Sequence, residues 1–137
     1  MYENYVIIGE NQRRTNDKSK SGAAYIFKKD DGAETWSQIA KLISDDSKQD
    51  DKFGEVVSMY NSYAVVGSHY YDQTNKSNIG AAWIFKKTVD QNNNETWPLN
   101  KKLDAPTDIE AADYFAKSVS IHGNNILFGA DGVDVTT

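Results

Sequence analysis

Few residues in this chain are of types that do chemistry. There are 2 histidines and no cysteine, which excludes disulfides, thiolate zinc sites and cysteine nucleophiles together. His69 opens the run His69-Tyr70-Tyr71-Asp72, and His122 falls in a short turn with Gly123 and Asn124. Neither stands in a motif that would join it to a serine and an acid, so triad-type catalysis has no support. Carboxylates cluster at Asp45-Asp46 and Asp50-Asp51, where the plain reading is solvated loop charge. Asp51 and Asp113 each stand two residues before a phenylalanine, Phe53 or Phe115. That placement suits acids that cap a turn by accepting backbone N–H bonds. Two groups remain that could touch a partner: Arg13-Arg14, and His69-Tyr70-Tyr71-Asp72. Arginine and aromatic side chains are the usual anchors of interfaces. The chemistry to expect is recognition rather than turnover, with no enzyme activity, no cofactor and no metal.

Composition narrows the partner. A net charge of −5 over 137 residues argues against nucleic acid, whose binding needs clustered Lys and Arg. No apolar run approaches the roughly 18 residues of a membrane span. Two sequons, Asn75-Lys76-Ser77 and Asn94-Glu95-Thr96, would accept glycans in a secretory protein.

The elements that hold these residues come from a tandem repeat. Gly22-Ala23-Ala24-Tyr25-Ile26-Phe27-Lys28-Lys29 returns 58 positions later as Gly80-Ala81-Ala82-Trp83-Ile84-Phe85-Lys86-Lys87. Tyr5-Val6-Ile7-Ile8-Gly9 matches Tyr63-Ala64-Val65-Val66-Gly67 and Asn125-Ile126-Leu127-Phe128-Gly129. Glu34-Thr35-Trp36 matches Glu95-Thr96-Trp97, Lys41-Leu42 matches Lys102-Leu103, and Asp51-Lys52-Phe53-Gly54 matches Asp113-Tyr114-Phe115-Ala116. Such units stack because none buries its apolar surface alone. Repetition reports structure; the unrepeated Arg13-Arg14 and His69–Asp72 are therefore the better functional candidates.

Short β-branched and aromatic runs bounded by Gly, Asn, Asp and Ser predict strands. They fall at Tyr5–Ile8, Ala23–Lys28, Trp36–Ile43, Gly54–Met59, Tyr63–Gly67, Ala81–Lys86, Trp97–Leu103, Ala116–Ile121 and Asn125–Gly129. A single helical turn is expected between Ile109 and Tyr114. Val6-Ile7-Ile8, Ala64-Val65-Val66 and Ile126-Leu127-Phe128 are continuously apolar, as strands buried on both faces are. A two-sheet sandwich would leave one face polar. The fold class is therefore all-β, built as the four-stranded antiparallel meanders of a β-propeller. Strand order runs two-three-four over residues 2–44, one-two-three-four over 53–103, and one-two over 113–131. That is about two and a quarter blades, so the chain is expected to be a piece of a longer propeller or a protomer that closes by assembly.

At these residues the chain resembles the FG-GAP repeat, the blade unit of integrin-α-type propellers. The matching features are Asp-x-Phe-Gly opening strand one, Val-Val-Gly in strand two, Gly-Ala-Ala-(Tyr/Trp)-Ile-Phe in strand three and Trp-x4-Lys-Leu in strand four. The resemblance implies a seven-bladed propeller in an extracellular or cell-surface setting. It further implies a binding or adhesion module whose two-three and four-one loops face a protein or glycan. The alternative it leaves is a structural subunit that partners the rest of its propeller or another copy of itself. Phe53, Gly54, Gly67, Gly80, Phe85 and Phe115 are structural on this view, with Trp36 and Trp97 in the core or at a blade edge. Gly22 and Gly80 would permit close backbone approach. The chain departs from the family at Phe115-Ala116 and lacks proline after Gly9, Gly67 and Gly129. The strand one-to-two turn is about three residues without a carboxylate. It cannot supply the oxygen ligands calcium needs, which implies the calcium-free variety.

Overall fold

The computed structural model describes residues 1–132. Among them every regular element is a strand: β1 Tyr5–Glu10, β2 Ala23–Lys29, β3 Trp36–Leu42, β4 Val56–Tyr60, β5 Tyr63–Ser68, β6 Ala81–Lys86, β7 Thr88–Val89, β8 Glu95–Thr96, β9 Leu99–Asp104, β10 Ser118–His122 and β11 Asn125–Gly129. The sheets are antiparallel, in the orders β1-β2-β3, β4-β5-β6-β9 and β10-β11, with a small β7-β8 ribbon. The copies agree in detail. A bulge interrupts β2–β3 pairing at Ile26/Phe27 and β6–β9 pairing at the matching Ile84/Phe85.

Two expectations change. Pro98 has no N–H to give a ladder, so the strand expected from Trp97 begins at Leu99, and Glu95–Thr96 instead pairs with Thr88–Val89. No helical turn forms between Ile109 and Tyr114. Tight turns stand at 106–109 and 110–113, closed by Ile109 N–H to Pro106 C=O (3.1 Å) and Asp113 N–H to Glu110 C=O (3.3 Å). Ala112 and Tyr114 have φ of 66° and 57°, outside the right-handed helical region.

The sheets stack face to face around two cores. Between the first and second sheets, Tyr5, Ile7, Ile26 and Leu42 meet Phe53, Trp83, Phe85 and Trp97. Phe53 sits at the centre, edge-on to Trp83 at 5.0 Å and to Phe85 at 6.2 Å, a geometry that aromatic quadrupoles favour. Between the second and third, Val65, Ile84 and Ile121 gather Ile126 and Phe128. Only the central sheet is covered on both sides. β5 is accordingly buried on both faces from Ala64 onward. Its counterparts correct the expectation of burial on both faces: Ile8 is 49% exposed and Leu127 74%, because each points away from the central sheet. Trp97 lies in the core, whereas Trp36, at the rim of the first sheet, is 40% exposed.

Replacing Phe85 by alanine should cost about 3–5 kcal/mol, as for a buried aromatic, and Leu127→Ala no more than ~0.5 kcal/mol. Chemical denaturation of the two variants checks this; equal losses would mean that the end faces are as well packed as the centre.

Candidate functional site

The loops that join strand two to three and sheet to sheet are held to each other by backbone. Asp50, Lys52 and Phe53 donate N–H bonds to the carbonyls of Ser19, Lys20 and Ser21 (3.1, 3.0 and 2.9 Å). One copy later, Ala112 and Phe115 donate to Ser77 and Ile79 (3.0 and 2.9 Å). This contact is why the repeat keeps Gly22 and Gly80. Both have φ of 89°, and an added Cβ would lie 1.9 Å from the Phe53 carbonyl oxygen or 2.0 Å from that of Phe115. Gly54 is hemmed in likewise, 2.2 Å from the Ala23 oxygen.

The two long loops share one backbone. Asp17 and Asn75 are left-handed at φ 61° and 66°, Lys20 and Asn78 at 49° and 53°. Thr15–Lys18 and Gln73–Lys76 make matching bridges. Lys18 Nζ donates to the Ser47 carbonyl (2.6 Å), and Lys76 Nζ to that of Ile109 (2.7 Å). Asp51 and Asp113 do cap turns, accepting the N–H of Lys48 (2.5 Å) and Glu110 (2.7 Å). On this fixed frame Arg13 and Arg14 occupy the positions that Tyr71 and Asp72 occupy in the next copy.

The structure sorts the predicted site residues. Arg13 and Arg14 are exposed and only loosely paired, with Glu10 at 3.8 Å and Asp17 at 3.9 Å. They lie on the first sheet, apart from the second group. Tyr70 and Asp72 are half-buried. His69 and Tyr71 are not presented at all: they are 6% and 7% exposed, drawn inward because each copy's loop packs under the adjoining connection. Of the sequons, Asn75 stands exposed at its loop tip, while Asn94, also exposed, donates its amide to Asp90 (2.9 Å).

Sequence reasoning missed the ion cluster beneath the second loop. Lys102 Nζ lies 2.6 Å from Asp46, 3.1 Å from Asp104 and 2.7 Å from the Tyr71 hydroxyl. Tyr71 OH donates to Asp46 (2.9 Å), and the Ser44 hydroxyl caps the same carboxylate. Asp46 is thus more than loop charge, which corrects the sequence expectation. Burial alone would push the Asp46 carboxyl up, but the Lys102, Ser44 and Tyr71 bonds outweigh it and hold it below the usual range. Burial would lower Lys102, yet its bonds to Asp46, Tyr71 and Asp104 keep it above the ordinary lysine value. Asp46, Tyr71 and Asp104, with Lys48, Asp72, Gln73 and Thr74, line an open cleft of about 430 Å³. The available signal was that Lys102 repeats Lys41 while Tyr71 replaces Arg13, so the lysine's environment had to change. A second cluster joins the sheets at the opposite rim: Glu95 takes bonds from Tyr5 OH (2.9 Å) and Lys28 (2.7 Å), and Lys87 donates to Tyr5 (3.1 Å).

The family model of the FG-GAP repeat matches residues 36–85. The chain carries an FG-GAP repeat over that stretch. A search of curated proteins finds none that matches it. The FG-GAP match begins at β3 and runs to the end of the Gly80–Phe85 segment, so it includes the Phe53–Gly54 junction on which the inter-sheet contact turns. An FG-GAP repeat marks a β-propeller-type module, a kind often found in adhesion proteins. Among the described residues no group of His, Asp or Glu is arranged to hold a metal ion, and no helix is long and apolar enough to cross a membrane.

The rim cluster sets an acid limit. Burial raises Glu95, but its bonds from Lys28 and Tyr5 hold the carboxyl below its usual value. A depressed carboxylate contributes stability above the unfolded value of about 4.3 and loses it as pH falls through the folded one. Melting temperature should therefore drop between about pH 5 and pH 3. Glu95→Gln should melt lower at neutral pH and show a smaller acid drop; an unchanged drop would remove Glu95 from the account.

Proposed function

We propose that this protein is a non-catalytic binding module of the propeller type, presenting its strand two-three and sheet-to-sheet loops to a protein or glycan outside the cell. The single observation that carries this is the pairing of one repeated loop backbone with unlike side chains: Arg13-Arg14 on the first copy, Tyr71-Asp72 on the second. Stacking accounts for the buried Tyr71, but it has no use for the exposed Arg13 and Arg14. Lys48, Asp72, Gln73 and Thr74 around the polar cleft are the contact residues, with Arg13 and Arg14 as a separate anchor; Tyr71, Lys102 and Asp46 form the floor that positions them. The exposed Asn75 beside this surface is the better of the two glycan acceptors. An array of glycans and extracellular-matrix proteins tests the reading. At least one ligand class should bind, and Thr74→Arg, at the exposed lip of the cleft, should weaken it without lowering the melting temperature. No ligand, or a loss that tracks unfolding, would refute it.

A second reading has its own support in the end faces. Ile8, Tyr25 and Phe27 of the first sheet stand where Val66, Trp83 and Phe85 of the second pack on a neighbour. That equivalence favours a structural role, in which further repeats of the same propeller, or another copy of the chain, cover these faces. Light scattering separates the two: association at micromolar concentration supports it, and a monodisperse monomer removes it. Absence of calcium belongs to the same proposal, since the Asn61-Ser62 and Gly123-Asn124 turns offer no carboxylate. Calorimetry should find no calcium site tighter than about millimolar, the weak end of protein sites; a tighter stoichiometric site would overturn the assignment to the calcium-free kind.

A further inference from the structure

The seam between the second and third sheets contains the one buried histidine among the described residues. His69 Nδ1 lies 3.4 Å from Glu55 Oε2, and neither atom has a hydrogen-bond partner. The imidazole is stacked between Tyr70 of its own loop (4.2 Å) and Tyr114 of the next connection (5.4 Å, edge-on). Lys52 sits over the Tyr70 ring at 3.5 Å, and Lys117 over the Tyr114 ring at 5.4 Å. Lys117 is in turn held by Asp131 at 2.5 Å. The group therefore faces one near carboxylate, Glu55, two ammonium groups, Lys52 and Lys117, and a second carboxylate, Asp131, already bonded to one of them. We propose that this seam is a pH-sensitive latch, closed while His69 is neutral and loosened when the imidazole takes up a proton.

Three features make the latch local. Charging His69 in place means placing a cation in a buried slot already flanked by two lysines. Of the two carboxylates that would favour it, Asp131 is already bonded to Lys117, and Glu55, the near one, is not aligned to bond. The seam itself is held by two loop-to-connection backbone bonds, from Ala112 and Phe115, where the first seam has three. At the first seam the repeat places Asn11 in the position of His69, and an amide does not titrate. Burial, then Lys117 and Lys52, lower the affinity of His69 for a proton, against the opposing pull of Glu55 and Asp131. The folded chain thus binds this proton less readily than the unfolded one. Stability is full above the unfolded histidine value of about 6.5 and falls as pH drops below it.

The test uses the full chain between pH 7.5 and pH 5.5, above the range in which Asp46 and Glu95 titrate. Melting temperature should fall across this window. The amide protection factor at Phe115 should decline by up to about tenfold per pH unit, the limit for one linked proton, while Phe53 at the first seam stays constant. His69→Asn, which copies the first repeat, should flatten both trends and leave only any opposite slope from Asp51, whose carboxyl is pushed up by burial. With only two histidines, proton NMR identifies the His69 signals by comparison with His69→Asn, and His69 should titrate below the ordinary histidine value of about 6.5. An unchanged slope in His69→Asn, a melting temperature that rises on acidification, or a His69 that titrates at or above about 6.5 would overturn the proposal.

Discussion

The architecture depends on one close approach, that of the connection before strand one to the loop before strand three of the preceding copy. The Phe53 N–H donates to Ser21 at 2.9 Å, and a Cβ on Gly22 would collide with the Phe53 carbonyl. Phe53 is thereby fixed at the middle of the aromatic core, fully buried against Trp83 and Phe85. Everything else follows from that anchorage. It sets the separation of the sheets, draws the long loops inward, and places Asp46 from one connection against Lys102 and Tyr71 of the next sheet. The contact recurs at Gly80 and Phe115 with nearly the same geometry, so the stack extends by repetition of a single junction rather than by a new solution at each step.

Much of the fold was legible because repetition cancels local ambiguity. A lone Val-Val-Gly could be many things; three copies in register, two of them followed by a polar loop of the same length, can hardly be anything but strand two of a meander. The turn-capping roles of Asp51 and Asp113 were readable for the same reason. What escaped the sequence was contextual. The split of the fourth strand hinges on Pro98 and has no parallel in the first copy. The exposure of Ile8 and Leu127 arises from which neighbours are present, which no local pattern encodes.

The functional surface was less legible, and for a physical reason. Looking for unrepeated residues located the right loops, but could not tell presentation from burial. His69 and Tyr71 turn inward while Arg13, on the same backbone position as Tyr71, points to solvent. The choice is made by what lies across the seam: Tyr71 has Lys102, Asp46 and Trp83 to pack against (its ring meets Trp83 at 5.3 Å). Arg13 has no covering sheet. A partner for Asp46 lies 56 residues away in sequence, beyond any motif.

The hydrogen bonds of this protein differ in how they would resist force. Inside a sheet, long ladders run parallel to the strands and must break together when the chain is drawn along them. Between sheets, by contrast, the backbone is joined at the loop end by two or three bonds, and at the far rim of the first seam by the Tyr5–Lys28–Glu95 cluster. Such junctions open bond by bond, like a zip. A load that draws neighbouring sheets apart would therefore part them one seam at a time and leave each sheet intact, the second seam with its two loop bonds yielding before the first with three and its rim cluster. The stack is stiff within its layers and compliant between them.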